Sequence, residues 1–160
     1  MTVKILLLSI RPKYASKIFE GIKDVELRRT RPRLIRGDLV IVYASSPTKA
    51  LVGVFEVREV IQKPLMELWN DVKGRACVSY NEFRTYYKGL SIGCGIILTK
   101  THYFEKPVEL DCLRKEWDNF RPPQSYRYLK PNEIELVQDI AEFDIGEISN
   151  SYQIPLNIIA

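Results

Sequence analysis

A short run of charged residues near the start of the sequence has the residue types that a polar ligand site requires. Gly21 is followed by Lys23, Glu26 and Arg28, which places two cations and a carboxylate close to a turn-forming glycine. Arginine offers a planar fork of donors, lysine offers a compact positive charge, and glutamate accepts hydrogen bonds from amines. The segment is therefore a candidate pocket. The alternative is a surface strand on which Glu26 and Arg28 form an exposed ion pair.

Aromatic side chains form a second candidate, because their faces can stack on nucleobases. Phe83 and Tyr87 have the spacing of a buried helix face, which favours a place in the core. Tyr43, Tyr80 and Tyr86 are not assigned to the core by their spacing. These three tyrosines are therefore the predicted stacking residues.

Glu82 is a third candidate, since a carboxylate can act as an acid or a base in catalysis. It follows Ser79 by three positions, however, and Ser-x-x-Glu is the pattern of a helix capping box. The sequence leaves both interpretations open.

The elements that must position these residues are short strands and short helices. Val3–Ile10 is an apolar run typical of a strand buried on both faces, and Pro12 is well placed to begin a helix. Lys23–Arg29 alternates, which predicts a half-buried strand with Glu26 on the solvent side. Further strands are predicted at Leu39–Ala44, Ala50–Ile61 and Cys94–Phe104, and further helices at Pro64–Val72 and Tyr80–Tyr87.

The chain divides into a first unit, residues 1–104, and a C-terminal extension, residues 105–160, packed on the same domain. In the extension we expect a strand at Pro107–Leu110, a helix at Asp111–Trp117 capped by Asp111, and an extended segment at Arg121–Gln124. Pro131–Phe143 has helical spacing and an acidic face. That helix could cover the basic part of the molecule, lie in solvent or bind a partner protein.

This order of elements favours an α+β fold built on a small, strongly curved and mostly antiparallel sheet or barrel. A chain of 160 residues is long enough for one domain with a full core. The sequence contains no Gly-x-Gly-x-x-Gly motif and no P-loop motif, which excludes these two kinds of nucleotide site.

The net charge of +4 is unevenly distributed. The first 36 residues carry ten lysines and arginines against three acidic residues, whereas the last 30 carry six acidic residues and no basic one. Basic charge concentrated at one end favours a polyanionic partner, because binding releases the counterions of a nucleic acid. The alternative is an ordinary solvated surface.

Composition also limits metal, cofactor and membrane functions. Cys77, Cys94 and Cys112 have no C-x-x-C spacing, and His102 is the one histidine, so the soft ligands are too few for a structural zinc site. We predict no metal and no cofactor. No apolar run reaches the length of a membrane span, and the first ten residues lack the features of a signal peptide, which predicts a cytoplasmic protein.

Three stretches together resemble the ASCH domain, a family of the PUA-like superfamily: LLLSIRPKYASKIFEGIKDVELRR, GDLVIVYASSP and VGVFEVREV. The resemblance covers about residues 3–104, and its most specific part is the G-x-K-x-x-E-x-R core. Ser9, Pro12 and the Gly37-Asp38 turn support it. The segment NEFRTYYKGLSIGCGIIL resembles the helix and last strand of the domain, and PPQSYRYL resembles an extension of some microbial members.

The resemblance implies a small PUA-like β-barrel with helices at its rim, a C-terminal helical extension and a basic cleft for nucleic acid. Single-stranded or modified RNA is the implied partner, with DNA as an alternative. The phosphates of the nucleic acid would lie along the basic loop that contains Arg29 and Arg31. The predicted nucleic-acid-binding residues are Ser9, Arg11, Lys13, Lys23, Glu26, Arg28, Arg29, Arg31, Tyr43, Tyr80 and Tyr86.

Two enzymatic alternatives also come from the resemblance, and their catalytic residues would be Lys23, Glu26 and Glu82. One is similar to amidohydrolases that remove the acyl group of N-acetylated cytidine, with Lys23 and Glu82 at matching positions. Glu26 occupies the position of that branch's threonine, and a carboxylate does not replace a hydroxyl nucleophile. The other is RNA cleavage, in which Lys23 and Arg28 would stabilise the charged phosphorane while Glu26 accepts a proton.

Overall fold

The computed structural model of the chain describes residues 3–148, in which six strands and six helices are found. Residues 149–160, the end of the predicted extension, lie outside the described part. The strands are β1 (Ile5–Ile10), β2 (Val25–Arg28), β3 (Leu39–Ala44), β4 (Ala50–Pro64), β5 (Ile92–Glu109) and β6 (Tyr126–Tyr128). The helices are α1 (Pro12–Phe19), α2 (Leu65–Val72), α3 (Tyr80–Tyr86), α4 (Leu110–Glu116), α5 (Pro131–Ala141) and α6 (Ile145–Ile148).

All six strands form one sheet in the order β2-β5-β4-β3-β1-β6. β1 and β3 run parallel, and the other neighbouring pairs are antiparallel. β4 and β5 are long, and the register between them shifts at three places, where bulges increase the local bend. The sheet is a curled half-barrel with helices, which confirms the predicted α+β fold.

The apolar run of β1 is buried on both faces, as predicted. Ile5 and Leu7 point into one core cluster, whereas Leu6 and Leu8 point into another on the opposite face of the sheet. Because both faces are covered, Ile5–Leu8 are all apolar, and the one polar residue of the strand is Ser9, near its end. The carboxyl end of β1 is thereby fixed deep in the molecule.

β2 is held against two helices by a third apolar cluster. Val25 and Leu27 pack there with Leu68 of α2 and with Phe83 and Tyr87, on or next to α3. The alternate residues of β2 were predicted to lie in solvent. That expectation is wrong for Glu26, which is 6% exposed because further parts of the chain cover this face of the strand.

The chain after Phe104 continues the same fold. β5 extends without interruption to Glu109, so the separate strand predicted at Pro107–Leu110 is wrong. The residue before α4 is Glu109, with no side-chain cap, so the cap predicted at Asp111 is also wrong. Apolar residues of this segment pack in the same core cluster as β1 and β3: Leu113, Trp117, Phe120, Leu129, Val137, Ala141 and Ile145.

Within residues 3–148, no helix is long and apolar enough to cross a membrane.

Candidate functional site

A cavity of about 840 Å³ opens where β1, β2 and β3 end and α3 begins. We call it the central cavity. Its lining comes from distant parts of the sequence: Ser9, Ile10, Arg11, Tyr14, Glu26, Leu27, Arg28, Tyr43, Ser45, Ser46, Lys49, Val78, Asn81, Glu82, Phe83, Thr85, Tyr86, Leu110, Pro122, Pro123 and Gln124. It is large enough to receive an unpaired nucleotide.

The structure brings some of the predicted site residues together and leaves others outside. Those that line the central cavity are Ser9, Arg11, Glu26, Arg28, Tyr43, Glu82 and Tyr86. Those that do not line it are Lys13, Lys23, Arg29, Arg31 and Tyr80.

Parallel pairing places Ser9 and Tyr43 side by side, because they are register partners at the carboxyl ends of β1 and β3. The Ser9 hydroxyl donates to the Pro123 carbonyl at 2.6 Å, and the Ser9 backbone N–H donates to the Ser125 carbonyl at 3.0 Å. These two bonds fasten the loop of residues 121–125 over the cavity. Tyr43 is almost fully buried against Phe120, with 6.2 Å between the ring centroids.

Glu26 and Arg28 form the wall that β2 contributes, because residues two apart on a strand share a face. One guanidinium nitrogen of Arg28 lies 3.5 Å from Glu26 Oε1, and another donates to the Ser125 hydroxyl at 2.7 Å. Glu26 Oε2 faces the Lys23 ammonium at 3.5 Å. That oxygen is buried and accepts no hydrogen bond from any residue within 3–148.

Lys23 lies behind this wall and outside the cavity lining. It is 2% exposed, it donates to the Ala76 carbonyl at 2.5 Å, and its ammonium lies 5.1 Å from the centroid of the Tyr14 ring. Burial lowers the pKa of Lys23, and the nearby Glu26 carboxylate opposes that shift. Lys23 is therefore a buried counter-charge for Glu26.

Glu82 is held by several donors at the opposite wall. Its Oε1 accepts from the Ser79 N–H, and its own N–H donates to the Ser79 hydroxyl, both at 3.1 Å, which is the capping box that the sequence predicts. Its Oε2 accepts from the Tyr14 hydroxyl at 3.0 Å and from the Lys13 ammonium at 3.2 Å. The Ser79 backbone, followed by Tyr14 and Lys13, lowers the pKa of Glu82 to about 2.

The predicted stacking tyrosines have different surroundings. Tyr86 lines the cavity, is 37% exposed, and donates its hydroxyl to the Leu27 carbonyl at 3.2 Å. Tyr80 lies beyond the cavity and packs on Trp69, with 5.3 Å between the ring centroids. Tyr86 is therefore the better placed of the two for a ligand in the cavity.

The basic loop after β2 lies next to the cavity. Arg29 is exposed and donates to the Tyr86 carbonyl at 2.7 Å. Arg31 is also exposed. Neither cation lines the cavity.

Several residues near the site were not among the predicted ones, and three of them bear on its charge and contacts. Tyr14 lies on α1, and its hydroxyl donates to Glu82. Lys49 adds a cation to the lining and belongs to no motif. Ser125 holds Arg28, and its only signal was its place in the PPQSYRYL stretch.

The family model of the ASCH domain matches residues 8–138 of this sequence. The chain belongs to the ASCH domain family. An ASCH domain-containing ribonuclease of Zymomonas mobilis is 30% identical over 126 residues, which are 79% of this chain and 84% of that protein. The large ribosomal subunit protein uL22 of Ureaplasma parvum is 27% identical over 132 residues, which are 81% of this chain and 40% of that protein.

The ASCH crystal structure from Zymomonas mobilis superposes on this ASCH domain with a TM-score of 0.81 and 28% identity, covering 86% of this chain and 95% of that one. The curled sheet described above is therefore shared with a solved member of the family.

The donors and acceptors of this ASCH domain suit a nucleotide more than a metal ion. Arg11, Arg28 and Lys49 can meet phosphate oxygens, Tyr86 offers a ring, and Glu26 offers an acceptor. Within residues 3–148, no three His, Cys, Asp or Glu side chains are grouped as metal ligands would be.

Proposed function

We propose that this ASCH domain binds single-stranded RNA in the central cavity. The observation that carries the proposal is that four residues singled out for nucleic-acid chemistry line one cavity although they come from three elements. They are Ser9 of β1, Glu26 and Arg28 of β2, and Tyr86 of α3. The relative from Zymomonas mobilis, named a ribonuclease, supports RNA as the ligand class.

The geometry favours an unpaired strand over a duplex. A base must leave its stack to enter a cavity, and the bases of single-stranded RNA are free to do so. Arg11 and Lys49 would hold phosphates at the lining, and the exposed Arg29 and Arg31 would follow the strand outside. A DNA strand would meet the same cations, so DNA remains an alternative ligand.

We also propose that the extension after residue 104 is part of the binding unit. Leu110 and Pro122–Gln124 line the cavity, and Ser125 holds the Arg28 guanidinium. Removal of residues 105–148 would therefore open the cavity on one side.

The test is fluorescence anisotropy with a labelled single-stranded RNA over a series of salt concentrations. Arg28→Ala should lower the affinity about tenfold or more, because it removes charged hydrogen bonds inside the cavity. Arg58→Ala is the matched control, since Arg58 is an exposed arginine of β4 that does not line the cavity. Circular dichroism of both variants separates loss of binding from loss of fold.

The expected salt dependence is steep, since log K for a single strand falls by about 0.7 per phosphate contact for each unit of log salt. Absence of binding to RNA and DNA oligonucleotides at low salt would overturn the proposal. An equal loss in Arg28→Ala and Arg58→Ala would show that the affinity comes from diffuse charge and not from the cavity.

A second candidate, favoured by the name of the Zymomonas mobilis relative, is cleavage of the bound RNA. Arg28 and Lys49 could stabilise a phosphorane while Glu26 takes the proton of an attacking 2′-hydroxyl. The bond from phosphorus to the 5′-oxygen would then break, and the leaving 5′-oxygen would take a proton from water. Lys23 does not line the cavity, so we do not give it the phosphorane contact. Incubation with RNA and with its 2′-O-methyl analogue separates the two functions: a nuclease of this kind cuts the first alone, whereas a binding module leaves both intact.

The amidohydrolase alternative receives less support from the geometry. Its lysine, Lys23, is 2% exposed and hydrogen-bonded to Ala76. Its distal carboxylate, Glu82, has a pKa lowered to about 2 and is a weak base. Release of acetate from N-acetylated cytidine by the purified protein would restore this alternative.

A further inference from the structure

The carboxylate of Glu26 is the unsatisfied group of the central cavity. The residue is 6% exposed, and its Oε2 accepts no hydrogen bond from any residue within 3–148. It is flanked by two cations, Lys23 and Arg28, each at 3.5 Å from one of its oxygens. An ionised carboxylate has about four acceptor positions, so much of its hydrogen-bonding capacity is unused here.

Buried polar groups of proteins are nearly always hydrogen-bonded, and the exceptions need an explanation. The other carboxylate of the cavity shows the contrast, since Glu82 accepts from Ser79, Tyr14 and Lys13. Glu82 is thus satisfied by the protein. Glu26 Oε2 is turned towards Lys23 and is sealed from the cavity, so the capacity left for a donor that arrives from the cavity is that of Oε1, which lies beside Arg28.

The chemistry of that donor follows from the charges. A phosphate is repelled by a carboxylate, so the sugar-phosphate backbone does not face Glu26. A nucleobase amino group is a neutral donor, and acidic side chains accept from such groups in base recognition. Uracil has no amino group, and its N3–H lies between two carbonyl oxygens that a carboxylate repels, so it suits Glu26 less well. Arg28, next to Glu26 on the same face of β2, offers donors for the acceptor that neighbours the amino group on the base edge.

We propose that Glu26 and Arg28 select a nucleobase that carries an exocyclic amino group: cytosine, adenine or guanine, and not uracil. Lys23 is the positioning residue of this pair, since it holds the carboxylate from behind without entering the cavity. The inference rests on the proposed function, because it assigns a base preference to the same cavity.

The test compares oligocytidylate with oligouridylate of about six nucleotides, a length within the range of single-strand sites. The two bases have the same ring, and cytosine alone carries an amino group. We expect the wild-type protein to bind oligocytidylate about tenfold more tightly, the lower end of the discrimination that a good base contact provides. Gel electrophoresis after each titration verifies that the oligonucleotides are intact.

Glu26→Gln should reduce the preference to about twofold or less, because the carboxamide presents a donor as well as an acceptor and serves either base. The matched control is Glu56→Gln. Glu56 is also buried, its Oε2 also lacks a hydrogen-bond partner within residues 3–148, and it lies 3.6 Å from Lys100. It does not line the cavity, so this variant should retain the wild-type preference.

A second measurement does not depend on the folding of any variant. An oligonucleotide of N4,N4-dimethylcytidine has no amino hydrogen, and the wild-type protein should bind it about as weakly as oligouridylate. Equal affinity for cytidine and its dimethyl derivative would overturn the inference, as would a preference for uridine. A preference that survives in Glu26→Gln, or that is lost equally in Glu56→Gln, would overturn it too.

Failure of the proposed function and failure of the base preference give different results. If neither oligonucleotide binds, the proposed function itself is wrong. If both bind equally, RNA binding stands, and the assignment of base selection to Glu26 is wrong.

Discussion

The two walls of the central cavity each contain a carboxylate, and the two carboxylates differ in exposure and in hydrogen bonding. On the wall formed by α3, Glu82 is 44% exposed at its side chain and receives hydrogen bonds from Ser79, Tyr14 and Lys13. On the wall formed by β2, Glu26 is buried between Lys23 and Arg28, with one oxygen left without a hydrogen bond from residues 3–148.

The difference follows from the secondary structure of each wall. The start of a helix has free backbone N–H groups, and a carboxylate three residues after the cap can bond back to the cap residue, as Glu82 does. The backbone N–H groups of a paired strand are used by the sheet, so a side chain such as Glu26 must find its partners elsewhere.

The carboxylate of the α3 wall is therefore held by hydrogen bonds, whereas the carboxylate of the β2 wall is held by charge pairing. The polar groups of Glu82 are used by the fold, and its role is to join α3 to α1 through Tyr14. The charge of Glu26 is balanced by Lys23 and Arg28, but its oxygens lack a full set of hydrogen bonds. The three predictions that follow test this contrast, beginning with the β2 wall.

The largest effect is expected from removing the cation behind Glu26. Lys23→Met leaves a buried carboxylate with Arg28 alone, and breaking a buried ion pair in this way costs about 3–5 kcal/mol of unfolding free energy. Urea denaturation at neutral pH measures the loss. Lys63→Met is the control, because Lys63 pairs with Asp71 and their side chains are 40% and 41% exposed, so its loss should cost much less.

The double variant Lys23→Met with Glu26→Gln sharpens this result. It removes the buried carboxylate and leaves Arg28 bonded to the Ser125 hydroxyl, so it should recover part of the stability that the single variant loses. If Lys23→Met and Lys63→Met cost the same, the charge balance of the β2 wall is not what distinguishes it.

A middle-sized effect is expected where the two walls meet. The Tyr87 hydroxyl, at the end of α3, lies 3.2 Å from the Arg28 carbonyl and 2.9 Å from the Cys94 carbonyl. Tyr87→Phe removes a buried hydrogen bond between α3 and the strands, at a cost of about 1–2 kcal/mol. Tyr86→Phe removes a similar bond to Leu27 from a more exposed side chain, so it should cost less. Thermal unfolding of both variants measures the two losses of stability. A larger loss for Tyr86→Phe than for Tyr87→Phe would contradict this account.

Elements with local signals could be predicted from the sequence. β3 occupies Leu39–Ala44 as expected, since turn residues bound an apolar run on each side. The Ser79–Glu82 capping box is present because all its atoms lie within one helical turn. The burial of β1 on both faces also follows from its own residues.

The state of each charged residue could not be predicted, because it depends on partners far along the chain. Lys23 donates a hydrogen bond to the Ala76 carbonyl, 53 residues along the chain, and Arg28 donates one to the Ser125 hydroxyl, 97 residues along the chain. An alternating strand pattern assumes that one face meets water. On β2 both faces are covered, and this is why Glu26 was expected to be exposed and is not.

The smallest effect is expected at the α3 wall, and it depends on pH. The folded protein lowers the pKa of Glu82 from 4.5 to about 2, so the ionised form is the one that folding favours. Its contribution to stability is complete above about pH 4.5 and is lost as the pH falls from about 4.5 towards 2. The difference in Tm between the wild type and Glu82→Gln should therefore shrink across this range.

Tyr14→Phe is the companion variant, because it removes one of the donors that lower this pKa and leaves the capping box in place. In that variant the pKa of Glu82, followed by NMR of its side-chain carboxyl, should move part of the way back towards 4.5. Glu26→Gln, on the other wall, should leave the Glu82 titration unchanged. A Tm difference that stays constant between pH 4.5 and 2 would mean that the exposed carboxylate is held no more tightly in the folded protein than in the unfolded chain, and the contrast between the two walls would then depend on Glu26 alone.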